Sequence, residues 1–409
     1  MKKIFSLSLL LVLILSAALP ADACTSGIFT GKSTPDGRPL LWKHRDTGEL
    51  DNRIEFFPAG NGRKYGFIGL VNSDVQDGEV WTGTNEVGFS IMNTASYNLQ
   101  SEPAKLEDQE GVVMYQALAS CKTLADFENL LDKMKKPRGV EANFGVIDAE
   151  GGAAYYEVNN TEWRKVDVND PKIAPEGFLI YTNHSYTGHK DDGMGYVRYN
   201  TANEITHRAW IRGEQFTPQW IFNNLSRSYY NSLLGIDLNK NPELAPEGWF
   251  VDQDFIPRRS TSASIVVKGV KKGENPDLTV MWTILGYPPV GIAIPLFAAA
   301  GKDQPDYVLK GSGKGNNCQM CDQALARRAR IFPLKRGNGK NYFDVGLAHY
   351  YMSRYFPIED EIFYKTEKVM QSMYGTGKFD KKDLSSIYDL INQTPDQVGG
   401  DDFQVGGDE

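Results

Sequence analysis

Cys24 follows the small-residue pattern Ala21, Asp22, Ala23, where a chain cut after Ala23 would begin with it. A terminal cysteine carries a thiol and a free α-amine on one carbon, so nucleophile and base share a residue. The amine has an ordinary pKa of about 8 and can take the thiol proton near neutral pH. The thiolate can then attack a carbonyl, and water can later release the acyl group. Donors for the oxyanion and a carboxylate near the amine would complete such a site.

The residues before Cys24 support the cut. Lys2 and Lys3 precede an apolar run over residues 4–18, and residues 1–23 read as a secretory signal peptide. The expected product is exported, periplasmic or secreted. A lipoprotein signal is the alternative, with Cys24 carrying the anchor, but it prefers an aliphatic residue where Ala21 stands and an uncharged one where Asp22 stands. No later stretch reaches the roughly 20 apolar residues a membrane span needs. A formal charge of -8 offers no basic patch for nucleic acid. Oligomeric state is left open.

The remaining reactive side chains are few. Cysteines stand at 24, 121, 318 and 321 only, too sparse for a disulfide scaffold in 409 residues. Cys318 and Cys321 form C-x-x-C without a second pair or a nearby histidine, which disfavours zinc and leaves a local disulfide, free thiols or a redox pair. Cys121 ends a helical pattern and reads as buried. His44, His184, His189, His207 and His349 show no metal-ligand spacing, so neither metal nor other cofactor is implied. His44 and His184 keep a Cys-His pairing open as a rival mechanism.

These residues need elements to position them. With 41% hydrophobic and 23% charged residues, the chain can build a large core. From 24 to 93, short apolar runs bounded by Gly, Asp, Asn and Pro mark strands, among them "TSGIFTG", "LLWKHRD", "YGFIGLV" and "EVWTGTNEVGFSIMN". Helical spacing follows in "GVVMYQALASC" and in "TLADFENLLDKMKK", which opens on Thr123 and Asp126. Hairpins are expected in "NFGVIDAEGGAAYYEVN" and "SASIVVKGVKKGENPDLTVMWTIL", and a strand in "GFLIYTNHS". Residues 195–234 read as helix, including "QWIFNNLSRSYY", and helices return in "QALARRARIF", "VGLAHYYMSRYF" and "DEIFYKTEKVMQSMY". Strand blocks with inserted helices indicate an α+β layered fold. One domain is expected over 24–393, with a C-terminal helical extension, and a disordered acidic tail over 394–409.

The opening "CTSGIFTGKSTPDGRPLLWKHRDT" resembles the start of the N-terminal nucleophile (Ntn) hydrolases that cleave linear amides: choloylglycine hydrolases, penicillin V acylases and acyl-CoA:6-aminopenicillanic acid acyltransferase-like proteins. Those chains open Cys-Thr and reach a strand ending Arg-Asn-x-Asp, where this one has Lys43, His44, Arg45, Asp46. "TGTNEVGFSIMN", "LIYTNHSYTG" and "FIPRRSTSASIVV" are similar to later family segments in the same order.

The resemblance implies a four-layer αββα sandwich and a set of roles. Cys24 would be nucleophile and base, Asp46 would hold the amine, Asn93 would be an oxyanion donor, and Asn183 would be a site residue. Arg259, with Arg258 beside it, would be the arginine near the nucleophile. Lys43 replaces a family arginine and would bind substrate, keeping the charge but losing the planar fork. The implied activity is hydrolysis of a linear C-N amide in a small N-acyl substrate through an acyl-thioester. Transfer of the acyl group to another amine, a related cysteine dipeptidase and a lipid-anchored ligand-binding protein are the alternatives.

Overall fold

The computed structural model describes residues 23–99, 106–240, 248–252, 254–335 and 341–399. The expected signal peptide therefore lies outside the described residues except for Ala23, as do residues 400–409 of the expected tail.

Two antiparallel sheets dominate. The first has the order β10-β1-β2-β14-β15-β16, built from β1 (Thr25–Phe29), β2 (Leu40–Asp46), β10 (Phe178–Tyr181), β14 (Thr261–Lys268), β15 (Val280–Leu285) and β16 (Ile294–Leu296). The second is a seven-stranded meander of β3 (Asn52–Phe57), β4 (Phe67–Asn72), β5 (Thr82–Asn85), β6 (Ser90–Ala95), β7 (Ala142–Ile147), β8 (Ala153–Val158) and β9 (Trp163–Asp167). Two short ladders lie outside them: β11 (Tyr230–Asn231) with β12 (Ile236–Asp237), and β13 (Trp249–Val251) with β18 (Asn341–Asp344) and β17 (Leu334–Lys335).

Strand alternation assigns the faces. On β4, Ile68 and Leu70 join the core shared with Leu41 of the first sheet, while Phe67 and Val71 point the other way. Tyr155 on β8 faces inward and meets Ser26 on β1 (Oγ to Oη 3.1 Å), whereas Tyr156 faces outward. The two sheets thus pack on each other, and the outer face of the meander is covered by α1 (Glu110–Ser120) and α2 (Leu124–Lys133). Val113, Met114, Leu118, Phe127 and Leu131 fill that layer, each contributing about 1.5–3 kcal/mol by burial. Gly83 permits the close approach: a Cβ there would meet Ile68 O at 2.4 Å and Leu118 Cδ1 at 2.8 Å. α2 starts with a full capping box, Thr123 and Asp126 satisfying each other's backbone N–H groups.

Other helices cover the first sheet: α3 (Tyr196–Ile211), α4 (Pro218–Ile221), α5 (Gln319–Ile331), α6 (Val345–Thr376) and α7 (Ser385–Gly399). Here the structure corrects three expectations. "QWIFNNLSRSYY" is not helical throughout; after α4 one π turn, Phe222–Ser226, ends the helix and Tyr230 enters a strand. The π turn sets Ser226 Oγ at 3.1 Å from the indole nitrogen of Trp42, which donates to it. The two C-terminal patterns form one helix of 32 residues that runs through Pro357, because Tyr351, Met352 and Tyr355 before the proline and Ile362, Met370 and Met373 after it bury on one face. Residues 394–399, expected in the tail, continue α7, whose Ile387, Ile391 and Thr394 are buried. Cys318 and Cys321 are free thiols, and Cys121 is buried at the C-cap of α1.

Candidate active site

Cys24 immediately precedes β1, and the β1–β2 ladder pairs Thr25 with His44 and Ser26 with Lys43. Alternation on β2 turns Lys43 and Arg45 toward one side. Both lie near the Trp81 ring, Lys43 Nζ at 5.9 Å and Arg45 at 4.9 Å from its centroid. Cys24, Lys43, Asp46, Trp81, Asn93 and Glu110 line a single cleft between the sheets. The cleft shares Thr47, Ala95, Asp108 and Glu110 with a larger groove of about 480 Å³. The sequence-derived Cys24, Lys43, Asp46 and Asn93 thus converge.

The backbone of Cys24 is held from two sides. Its N–H donates to Asn183 Oδ1 (3.0 Å), just beyond the end of β10. Its carbonyl accepts from Arg198 Nη1 (2.6 Å), and the same guanidinium donates to Thr25 Oγ1 (2.9 Å) and Asn183 Oδ1 (2.8 Å). Asn183 also donates Nδ2 to Ala95 O (3.0 Å) on the facing sheet.

Asp46 is buried and doubly engaged, accepting from Arg258 Nη2 (2.5 Å) and from Thr261 Oγ1 (2.5 Å). A register shift between Thr261 and Ala263 in the β14–β2 ladder brings Thr261 opposite Asp46. The carbonyl of Asp46 accepts from Ala23 N–H (3.1 Å), and Arg258 donates to Ala23 O (3.4 Å). Ala23, the residue before Cys24, therefore sits beside the Asp46–Arg258 pair.

Of the two candidate arginines, the structure selects Arg258. Arg259 has an exposed side chain, its N–H donates to Asp252 Oδ2 (3.1 Å), and its carbonyl accepts from Arg328. The two arginines sit in the turn before β14, closed by Thr261 N–H donating to Arg258 O (2.9 Å), and only Arg258 reaches Asp46. The expectation of Arg259 is corrected on that ground.

Asn93 lies between unlike charges. Its Oδ1 accepts from Lys43 Nζ, which also donates to Trp81 O (2.7 Å), and its Nδ2 donates to Glu110 at the first turn of α1. Lys43, Asn93 and Glu110 are all buried.

Arg198, Glu110, Trp81 and Thr261 complete the cluster and were not singled out in the sequence. For Arg198 a signal existed: it occupies the stripe of α3 that also holds Ala202, Thr206 and Ala209, a cation on a buried helix face. Burial, with Arg258 nearby, pushes its pKa down to about 10.

His44 and His184 do not line the cleft. His44 is fully buried, its Nε2 3.2 Å from Thr261 Oγ1, and burial pushes its pKa down to about 4. His184 stacks on Tyr196 at 4.4 Å and lies 3.2 Å from Thr182 Oγ1. Among the described residues no group of His, Cys, Asp and Glu could hold a metal ion, and no helix is long and apolar enough to cross a membrane.

No protein-family model and no curated protein matches the sequence. Among solved structures, the chain is similar to a Caenorhabditis elegans N-acylethanolamine-hydrolyzing acid amidase ortholog (14% identity, 59% of this chain and 92% of that chain, TM-score 0.39). It is also similar to a variant of the conjugated bile acid hydrolase from Clostridium perfringens (13% identity, 67% and 92%, TM-score 0.37). A third similar structure is the penicillin V acylase from Agrobacterium tumefaciens (13% identity, 67% and 86%, TM-score 0.36).

Proposed function

We propose that the chain is an exported Ntn-type cysteine amidohydrolase that cleaves the linear C-N amide of a small N-acyl substrate. The observation that carries the reading is the double grip on the Cys24 backbone by Asn183 and Arg198, at the head of a buried cleft that also holds Lys43, Asp46 and Asn93. A thiol that merely anchored a lipid would need none of these partners.

Removal of residues 1–23 frees the amine of Cys24. Asn183 Oδ1 is an acceptor already aimed at that nitrogen, and the backbone carbonyl of Asp46 and the Arg258 guanidinium lose their Ala23 partners when it leaves. Arg198 holds the Cys24 carbonyl and Arg258 pairs with the Asp46 carboxylate. A terminal amine with its ordinary pKa of about 8 is partly neutral near neutral pH and can accept the thiol proton. The thiolate adds to the acyl carbon, and the carbonyl electron pair moves to oxygen, where Asn93 Nδ2–H stabilises it. Collapse breaks the C-N bond, and the ammonium of Cys24 returns its proton to the departing amine. Water, deprotonated by the same amine, then opens the thioester and restores the thiol.

The test is a mature protein beginning at Cys24, assayed in parallel against N-acyl amino acids, conjugated bile acids, penicillin V and dipeptides. Hydrolysis of an acyl amide that vanishes in Cys24→Ala, with an acyl adduct on Cys24 by intact mass, is the expected result. Equal activity in the variant, or a native N-terminus carrying a lipid on Cys24, refutes it.

A further inference from the structure

We propose that Lys43 and Glu110 are positioning residues that lock the amide of Asn93 with one N–H turned to the oxyanion, an inference that rests on the Ntn reading above. An asparagine side chain presents an acceptor oxygen on one side and a donor NH₂ on the other, two groups of nearly the same shape. Here the neighbours decide. An ammonium can only donate and a carboxylate can only accept. Lys43 Nζ meets one end of the Asn93 amide and Glu110 the other, so the oxygen faces the lysine and the nitrogen faces the glutamate. The flipped amide would set NH₂ against an ammonium and oxygen against a carboxylate.

Burial sharpens the preference. Asn93 is 3% exposed, Lys43 2% and Glu110 6%, and in so dry a place both charge-assisted bonds are strong and their inversion costly. Each charge is itself fixed. Lys43 Nζ also donates to Trp81 O (2.7 Å). Glu110 opens α1, where the helix dipole favours a carboxylate, and its N–H donates to Asp108 Oδ1 (2.8 Å). Nδ2 has two hydrogens. Glu110 takes one, and the second is left for the cleft that Asn93 shares with Cys24. Lys43, expected to bind substrate, instead holds the oxyanion donor in place.

The role can be measured without the natural substrate, because two reagents attack the same thiol by different routes. Iodoacetamide reacts at a saturated carbon and builds no oxyanion; p-nitrophenyl acetate acylates through a tetrahedral oxyanion. Burial pushes the Cys121 thiol up to about 12 and that of Cys321 up to about 11, and Cys318 is raised as well, so these thiols react slowly at neutral pH, and the Cys24 signal is read as the adduct on Cys24 by peptide mass that is lost in Cys24→Ala. With the mature protein, Glu110→Gln should lower the acylation rate of Cys24 about 10- to 100-fold, part of the loss expected when a whole oxyanion donor is removed. Alkylation should stay within about twofold. Asn93→Ala should lower acylation at least as far, and adding Glu110→Gln to it should cost nothing more.

Lys43→Gln provides a second variant should Glu110→Gln not fold, with the same split expected. Unchanged acylation in a folded variant, an equal fall in both reactions, or independent losses for Asn93 and Glu110 overturns the proposal. If wild-type Cys24 resists both reagents, the Ntn reading itself fails and takes this inference with it.

Discussion

Around Cys24 the decisive feature is how few acceptors serve many donors. Asn183 Oδ1 takes both the Cys24 nitrogen and Arg198, and Asp46 takes both Arg258 and Thr261. Removing Arg258 would leave a buried carboxylate with one neutral partner, a change that typically costs about 3–5 kcal/mol. Arg258→Gln should therefore lower both the unfolding free energy and the acylation rate of Cys24, while Arg259→Gln, at an exposed position, should change either by less than about twofold in rate or 0.5 kcal/mol. Denaturant melts and acylation kinetics on the two variants separate them. At this scale the sequence made Cys24, Asp46, Asn93 and Asn183 visible through residue type and order. It left Arg258 and Arg259 indistinguishable because the choice depends on where β14 enters the sheet.

Among the elements, the clearest agreement between sequence and structure is α2, whose start is written in four residues. Thr123→Ala should cost about 1 kcal/mol in a denaturant melt, the usual worth of such a cap. α6 depends on distant partners. Glu359 in its interior receives both arms of Arg227 (2.8 and 2.6 Å) and the N–H of Ala293 (2.6 Å), all buried. Glu359→Ala should destabilise the fold by about 3–5 kcal/mol, read as a large fall in melting midpoint, because it strands a guanidinium in the core. The continuity of this helix through Pro357 was not legible, since proline is a local signal to stop and the countervailing burial on either side is tertiary. The π turn after α4 was hidden for the same reason.

For the whole molecule, the packing of the first sheet against its helical cover sets an acid limit. His44 is buried there, with its pKa pushed down to about 4 from an ordinary 6.5. Between those values the unfolded chain takes up a proton that the folded chain refuses, so stability should be full above about pH 6.5 and fall as the pH drops toward 4. His44→Gln should flatten that fall in melting temperature against pH. A residual slope should persist, because burial lowers the pKa of His184 too.

What the sequence by itself determined is what short spacing can encode: strands with period 2, helices with period near 3.6, and a capping box. Only the tertiary structure decided which charges meet that cysteine. Asn183 lies 159 positions from Cys24 and Arg198 lies 174, and Arg258 stands 235 from Ala23. Their convergence depends on the register of β1, β2, β10 and β14 in one sheet and on the meander facing it. A one-residue slip in any of these strands would turn its site residue to the opposite face, and no local pattern around Arg198 or Glu110 records that the strands do not slip.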